Sequence, residues 1–394
     1  MNQMTKNISL GVAAILIIGA IWYLQAGKVR PDTTVKGDVL TDTSAPKNDS
    51  MPDTSATSVS APTTTANRTM SKAEKAKKYK PAREIIPGGG FINADPFKLK
   101  DIIGKKVILI DFWTYSCINC QRTTPYLNAW YQKYKDQGLV IVGVHTPEFD
   151  FEKIYDNVAK AVKDEGIKYP VVQDNNYATW QTYENQFWPR EYLIDIDGYI
   201  VHDHIGEGGY EESERAIQAA LKERAQVLGT KETISSGVSS PTDIISFDSQ
   251  KTQSPETYFG SARNEYLANG TSSTSGTQTL TVPQSISLNK LYLGGIWKFN
   301  SEYAESQGKA TITYKFKSSN VYLVASSVSG LKVTVLIDGK PVGANAGADV
   351  GPDGVVTIKD NRLYKLVHTP DYSEHTLLLE VEGAGLDAYA FTFG

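Results

Sequence analysis

The sequence predicts an α/β domain followed by an all-β antiparallel sandwich of jelly-roll-like type, with a single transmembrane helix and a disordered linker ahead of them. Three observations carry this. Between residues 84 and 227, buried-strand runs alternate with helical patterns, which implies a sheet with helices on both faces. Residues 255–394 are filled by short alternating or β-branched runs separated by turns, the pattern of a sandwich. Ile8 to Leu24 is almost wholly apolar, close to the roughly 20 residues that cross a bilayer.

Residues 1–30 read as an uncleaved signal anchor. Lys6 precedes the apolar run, Lys28 and Arg30 follow it, and Leu24-Gln25-Ala26 fits a cleavage site poorly; cleavage is the alternative. Residues 31–83 read as a disordered tether, because Pro31 to Met70 is dominated by Thr, Ser, Ala, Pro and Asp and cannot bury a core. Its basic end, Lys72 to Lys80, is expected to be a solvated helix or linker, or a contact for anionic lipid headgroups. The formal net charge of −4 argues against nucleic acid as a partner.

The α/β domain opens its chemistry at Val107 to Phe112, a buried strand, followed by Trp113-Thr114-Tyr115-Ser116-Cys117-Ile118-Asn119-Cys120. These are the two cysteines of the chain. A Cys-x-x-Cys pair at the end of a strand and the start of a helix is the geometry of thiol-disulfide exchange. The helix N-terminus favours a thiolate, which makes Cys117 the attacking sulfur. Cys120, one turn further in, is placed to resolve the mixed disulfide. Zinc needs about four ligands, and the chain has no second Cys pair and five scattered His. A structural disulfide closing so short a loop gains little entropy. A redox-active Cys117–Cys120 disulfide therefore stands in place of any metal or separate cofactor. Asp111 lies on the strand among apolar neighbours, where burial raises a carboxyl pKa. It is either the acceptor of the Cys120 proton or a satisfied structural carboxylate.

Leu139 to Val144 reads as a second buried strand. His145-Thr146-Pro147-Glu148 follows it, at the same sheet edge as the cysteines if the strands are parallel. His145 and Glu148 then support the redox pair, or belong to an ordinary polar loop. Glu152 to Lys163 is an amphipathic helix, Asp195-Ile196-Asp197-Gly198 a hairpin turn, and Tyr210 to Arg224 a closing helix after the glycines of Gly206-Glu207-Gly208-Gly209. Residues 228–254 form a second Ser/Thr/Gly/Pro-rich linker, so the flanking domains are expected to fold separately. Beyond it, strands are expected at Thr311 to Phe316, Val321 to Ala325, Lys332 to Ile337, Val355 to Lys359 and Thr376 to Val381. Trp297, Tyr303 and Tyr364 either present a surface for a glycan or envelope ligand or pack in the core.

Asp111-Phe112-Trp113 leading to Cys117 and Cys120, with Pro125 five residues further on, resembles the thioredoxin superfamily. The resemblance implies that Pro189 is a cis-proline facing the cysteines, and that Trp113, Trp188 and Pro189 flank the substrate chain. The alternative for Pro189 is an ordinary trans proline at the start of a strand. Thr114 to Cys117 also matches the Thr-x-x-Cys of peroxiredoxins, which are thiol-dependent peroxidases. That family, however, has proline where this chain has Ile110 and arginine where it has Pro189.

A more specific resemblance, to the periplasmic portion of DipZ-type proteins, spans both domains. It is carried by Val142 to Glu148, Glu256-Thr257-Tyr258-Phe259-Gly260, Gly295-Ile296-Trp297 and Ala388 to Gly394. It implies a thioredoxin-like domain joined to a carbohydrate-binding-module-like domain, and a thiol-disulfide oxidoreductase acting on disulfide-bonded proteins. The place implied is the cell membrane, with the domains on the periplasmic, extracytoplasmic side. DipZ-type proteins carry a multi-spanning electron-transporting domain, whereas this sequence has the single segment at Ile8 to Leu24. A separate membrane transporter of reducing equivalents, of the CcdA or DsbD kind, is therefore the expected partner. The non-enzymatic alternative is an envelope-binding module whose Cys pair is a stable bridge.

Overall fold

The computed structural model describes residues 70–242, 244–245, 248 and 250–394, and regular structure in it starts at helix α1 (Lys72–Lys78). Ser71 caps α1 in a reciprocal capping box with Glu74. The anchor expected at Ile8 to Leu24, and most of the tether, lie outside the described residues. Among the described residues no helix is long and apolar enough to cross a membrane.

The basic run forms the expected helix and is exposed apart from Lys75 and the half-buried Tyr79. Lys75 is 3% exposed, and its ammonium reaches Asp195 at 2.6 Å, Asp197 at 3.0 Å and Glu223 at 2.6 Å. A lysine is buried this way only when carboxylates replace its water. Those carboxylates come from elements over a hundred residues away, so the segment from Ser71 to residue 83, expected to be part of the tether, packs on the α/β domain. Lys75→Ala takes the cation from a fully buried carboxylate. Urea unfolding should register a loss of about 3 kcal/mol or more; a loss under about 1 kcal/mol would show that α1 is not anchored through this cluster.

The α/β domain continues with β1 (Phe91–Ile92), α2 (Leu99–Ile102), β2 (Val107–Trp113), α3 (Ile118–Tyr134) and β3 (Leu139–His145). There follow α4 (Tyr155–Asp164), β4 (Val171–Gln173), α5 (Ala178–Thr182), β5 (Arg190–Ile194), β6 (Ile200–Ile205) and α6 (Tyr210–Leu228). The sheet order is β1-β4-β3-β2-β5-β6, with β2, β3 and β4 parallel and β1, β5 and β6 antiparallel to their neighbours. All seven residues of β2 are buried, so its two faces are told apart only by alternation. Val107, Leu109 and Trp113 pack with Leu127, Trp130, Val158 and Leu221 of α3, α4 and α6. Ile108, Ile110 and Phe112 pack with Leu99, Tyr183 and Ile85 on the other side. Asp111 takes its place on the first face, beneath α3. The hairpin turn at residues 195–198 forms as expected, with Gly198 at φ +84° and Asp195 Oδ1 accepting from the Asp197 and Tyr199 amides.

The second domain contains β7 (Thr257–Tyr258), β8 (Gly276–Leu280), β9 (Leu291–Phe299), β10 (Ala304–Gln307), β11 (Ala310–Lys317) and β12 (Asn320–Ser326). It is completed by β13 (Leu331–Ile337), β14 (Lys340–Pro341), β15 (Val355–Ile358), β16 (Arg362–His368), β17 (Glu374–Val381) and β18 (Ala384–Phe393). All pairings between these strands are antiparallel. The first half of β9 pairs with β11 and its last three residues with β10, so one strand serves both layers. The change of layer falls at Gly295, whose φ of +95° an L side chain rarely adopts. Tyr314, Val335 and Leu379 from one layer pack against Leu323, Tyr364 and Phe391 from the other. Trp297 and Tyr364 are core residues, and Tyr303 packs on Tyr389 with ring centroids 5.0 Å apart. These aromatics therefore form no exposed platform for a sugar.

Two expectations about the join between the domains are corrected. The segment after α6 is strapped down: Ile234 is buried, and the Ser235 and Ser239 amides are held by Gln137 and Glu214. The domains also share a core. Tyr322, Val324, Leu363, Tyr389 and Ala390 belong to the same apolar cluster as Ile118, Cys120, Phe149 and Phe151. Tyr389 meets Phe149 and Phe151 edge-on, at 5.1 and 4.8 Å. The described residues form one compact unit.

Candidate active site

Cys117 is the N-cap of α3, with extended backbone (φ −81°, ψ 119°), and its carbonyl accepts from the Gln121 amide at 3.1 Å. It is partly exposed, whereas Cys120 is buried. Burial raises the Cys120 pKa well above the ordinary thiol value; its hydrogen bond to Cys117 and the charges of Cys117 and Asp111 add to this. A thiol in that setting ionises only if an acceptor stands close by.

One of those charges is Asp111. It is 2% exposed and lies directly opposite Glu191 in the β2–β5 register. Burial, reinforced by Glu191 and Glu165, raises its pKa well above the usual carboxylate range. Burial pushes Glu191 up to about 7, against the hydrogen bond from Ser213. Glu165 is only partly covered as a residue, but its carboxyl end lies inside, and burial pushes it up to about 7 as well. Thr124 fixes that carboxyl at 3.1 Å with a hydroxyl that also lies 3.0 Å from the Cys120 carbonyl. One oxygen each of Asp111 and Glu191 has no hydrogen-bond partner among the described residues. A set of carboxyls that burial keeps close to their neutral forms can take up and pass on a proton near neutral pH.

The other expected residues separate into two groups. Trp188 and Glu148 line a groove of about 350 Å³ with Cys117, Ile118, Asn119 and Phe187. The Trp188–Pro189 peptide is cis, the Trp188 indole donates to the Thr146 carbonyl at 3.1 Å, and the Pro189 carbonyl accepts from the Gly206 amide at 2.9 Å. Trp113 and His145 do not reach the groove. Both are buried, edge to face at 5.2 Å, and burial pulls the His145 pKa down to about 3, leaving a neutral ring. They are core residues because β2 and β3 run parallel beneath α3, so the side chains at their last positions are covered.

The second wall of the groove belongs to the β-sandwich: Ser254, Glu256, Tyr258, Arg263, Thr392 and Phe393. Glu148 is the hinge between the walls. Its carboxylate accepts from Arg263 at 2.7 Å and from the Tyr258 hydroxyl at 2.8 Å. Sequence reasoning missed this wall, and it missed Glu152. That fully buried carboxylate accepts from Ser116 Oγ at 2.6 Å and from the Glu148 and Phe149 amides at 2.6 and 3.0 Å, tying the cysteine loop to the loop that carries Glu148. Glu191 and Glu165 were also missed. For Glu191 a signal existed, a charged residue inside a buried strand, the same one that marks Asp111.

Comparison with known proteins agrees with this geometry. The redoxin family model matches residues 92–221, and the model described as a thioredoxin-like C-terminal domain matches residues 254–394. Protein DipZ of Mycobacterium bovis is 42% identical over 247 residues, 62% of this chain and 34% of DipZ. Thiol-disulfide oxidoreductase YkuV of Bacillus subtilis is 28% identical over 147 residues, 37% of this chain and 98% of its own length. Thiol-disulfide oxidoreductase ResA of Bacillus thuringiensis is 37% identical over 117 residues, 30% of this chain and 64% of ResA. The chain thus spans about a third of DipZ, and the aligned 247 residues are more than either domain supplies. A segment matching the redoxin model, followed by one matching the thioredoxin-like C-terminal domain, thus resembles DipZ across both domains and is similar to proteins of the thioredoxin superfamily.

Proposed function

We propose that this protein is a thiol-disulfide oxidoreductase that reduces disulfide-bonded proteins through the Cys117/Cys120 dithiol. The observation that carries this is the arrangement of the two sulfurs: Cys117 opens on the groove at a helix N-terminus, and Cys120 is buried behind it within the influence of Asp111. In the first step the Cys117 sulfur attacks one sulfur of the substrate disulfide. A mixed disulfide forms as the substrate bond breaks, and the departing thiolate takes up a proton. Cys120 then gives its proton to Asp111 and attacks the Cys117 sulfur. The Cys117–Cys120 disulfide forms, the mixed disulfide breaks, and the second substrate thiolate leaves and is protonated. Two electrons and two protons have passed from enzyme to substrate. A buried acceptor serves a dithiol that must shed protons as it gives electrons, which favours reduction over oxidation.

Peroxide is the poorer substrate. The peroxiredoxin pattern sets an arginine beside the sulfur, whereas Arg190 donates to both oxygens of Asp203, at 2.9 and 2.7 Å. The proposal also sets the protein on the extracytoplasmic face of the membrane, held by the run Ile8 to Leu24 and recharged by a membrane carrier of the CcdA or DsbD kind. Support for that part comes from the composition of the N-terminal segment and the resemblance to DipZ-type proteins. Turnover tests the activity: with dithiothreitol as reductant, the protein should reduce insulin disulfides well above the rate of dithiothreitol alone. A rate equal to that background would end the reading.

A further inference from the structure

The groove in front of Cys117 is built half from each domain, and its charges are unequal. Glu148 and Glu256 line it against the single cation Arg263. Arg263 is already committed, bonded to Glu148 at 2.7 Å and stacked over the Tyr258 ring at 3.7 Å. Glu256 is exposed as a residue, but its carboxyl end is covered: burial, reinforced by Glu148, pushes its pKa up to about 7, and it lies 2.6 Å from the Tyr258 hydroxyl that it shares with Glu148. Above that pH its carboxylate is a charge on the groove lining, available to whatever enters. The rest of the lining is uncharged: Asn119, Gln186, Ser254 and Thr392 are polar, while Ile118, Phe187, Trp188 and Phe393 offer apolar contact.

Shape narrows the occupant further. A space of about 350 Å³ between two walls cannot take in the surface of a folded domain, but it admits a stretch of extended chain. The walls are fixed relative to each other by the shared core around Tyr389 and by the Glu148–Arg263 bridge. The groove is therefore a preformed slot.

We propose that the β-sandwich is the second half of the substrate site, and that the slot selects an extended cysteine-bearing segment with a lysine or arginine next to the cysteine, read by Glu256. This rests on Cys117 as the attacking sulfur. An acidic neighbour on the substrate meets Glu256 and Glu148, with the one cation of the described lining, Arg263, already bound to Glu148, and a basic neighbour completes the charge balance.

The test uses the full chain with three disulfides. One is the small neutral 2-hydroxyethyl disulfide; the other two are peptide disulfides identical except for Lys or Glu on either side of the cysteine. Each rate is divided by the rate of dithiothreitol with the same compound, which removes the intrinsic reactivity of the peptide. At pH 8.5 and low ionic strength the Lys peptide should react about tenfold faster than the Glu peptide, with the ratio shrinking as salt is added. Glu256→Gln, which keeps the shape of the side chain, should cut that ratio to about threefold. Equal rates for the two peptides, or a ratio unmoved by Glu256→Gln, overturn the proposal. Failure to reduce even 2-hydroxyethyl disulfide instead overturns the assignment of Cys117, so the two failures are distinguishable.

Discussion

Cys117→Ser should bring insulin reduction down to the background of the chemical reductant, whereas Cys120→Ser should stop one step later, with substrate attached to Cys117. The asymmetry follows from exposure. The Cys117 sulfur faces the groove, and Cys120 lies behind it at 2% exposure, within the apolar cluster shared by both domains. Only a sulfur that faces the groove can meet a substrate disulfide in line. Without Cys120 the mixed disulfide has no internal attacker, so a mass increase equal to the substrate should accumulate and disappear on adding dithiothreitol. Adducts on Cys120 in the Cys117→Ser variant, or the two behaviours exchanged, would reverse the assignment.

Asp111→Asn should slow the second step, by about a hundredfold at pH 7, because it removes the acceptor of the Cys120 proton while keeping the shape of the side chain. Release of the second substrate thiol in a single turnover is the readout. With hydroxide as the remaining base, that rate should climb about tenfold per pH unit between pH 7 and 9 in the variant, and more gently in the wild type. Stability should move the other way. Burial raises the Asp111 pKa above its unfolded value of about 3.9, so the stability it contributes is complete below about pH 4 and is lost as pH rises through the native pKa. Asn has no charge to bury. The variant should therefore unfold at higher urea than the wild type at pH 8, and the difference should close toward pH 4. Lower stability with an unchanged rate would make Asp111 a structural carboxylate.

Much of this was readable because each signal was local. The apolar run before the cysteines, the single aspartate inside it and the helical pattern after it lie within about one element of one another. The strands at Thr311 to Phe316 and Lys332 to Ile337 were legible through alternation, and they form within a residue or two of the expected ends. What escaped depends on partners far along the chain. Lys75 looks like one more solvated lysine until the hairpin and α6 bring three carboxylates around it. Arg263 and Glu148 are 115 residues apart, and no periodicity announces their pairing. Alternation also cannot say whether the outer face of a strand meets solvent or a second domain. All seven residues of β12 are buried, because Tyr322 and Val324 turn to the α/β domain while Val321 and Leu323 fill the sandwich. Trp113 lies away from the groove for a related reason: a family motif marks a residue near the site but not whether its side chain points into the groove or beneath the helix.

The redox equilibrium of the pair tests the central claim most directly. The protein is equilibrated with mixtures of reduced and oxidised dithiothreitol or glutathione, and the fraction of Cys117–Cys120 disulfide is read by thiol alkylation and mass. An exchanging dithiol should titrate between about −120 and −270 mV, the range spanned by proteins that pass electrons through such pairs. A midpoint below about −300 mV, the range of structural disulfides that resist reduction, would contradict the account and make the pair a stable bridge.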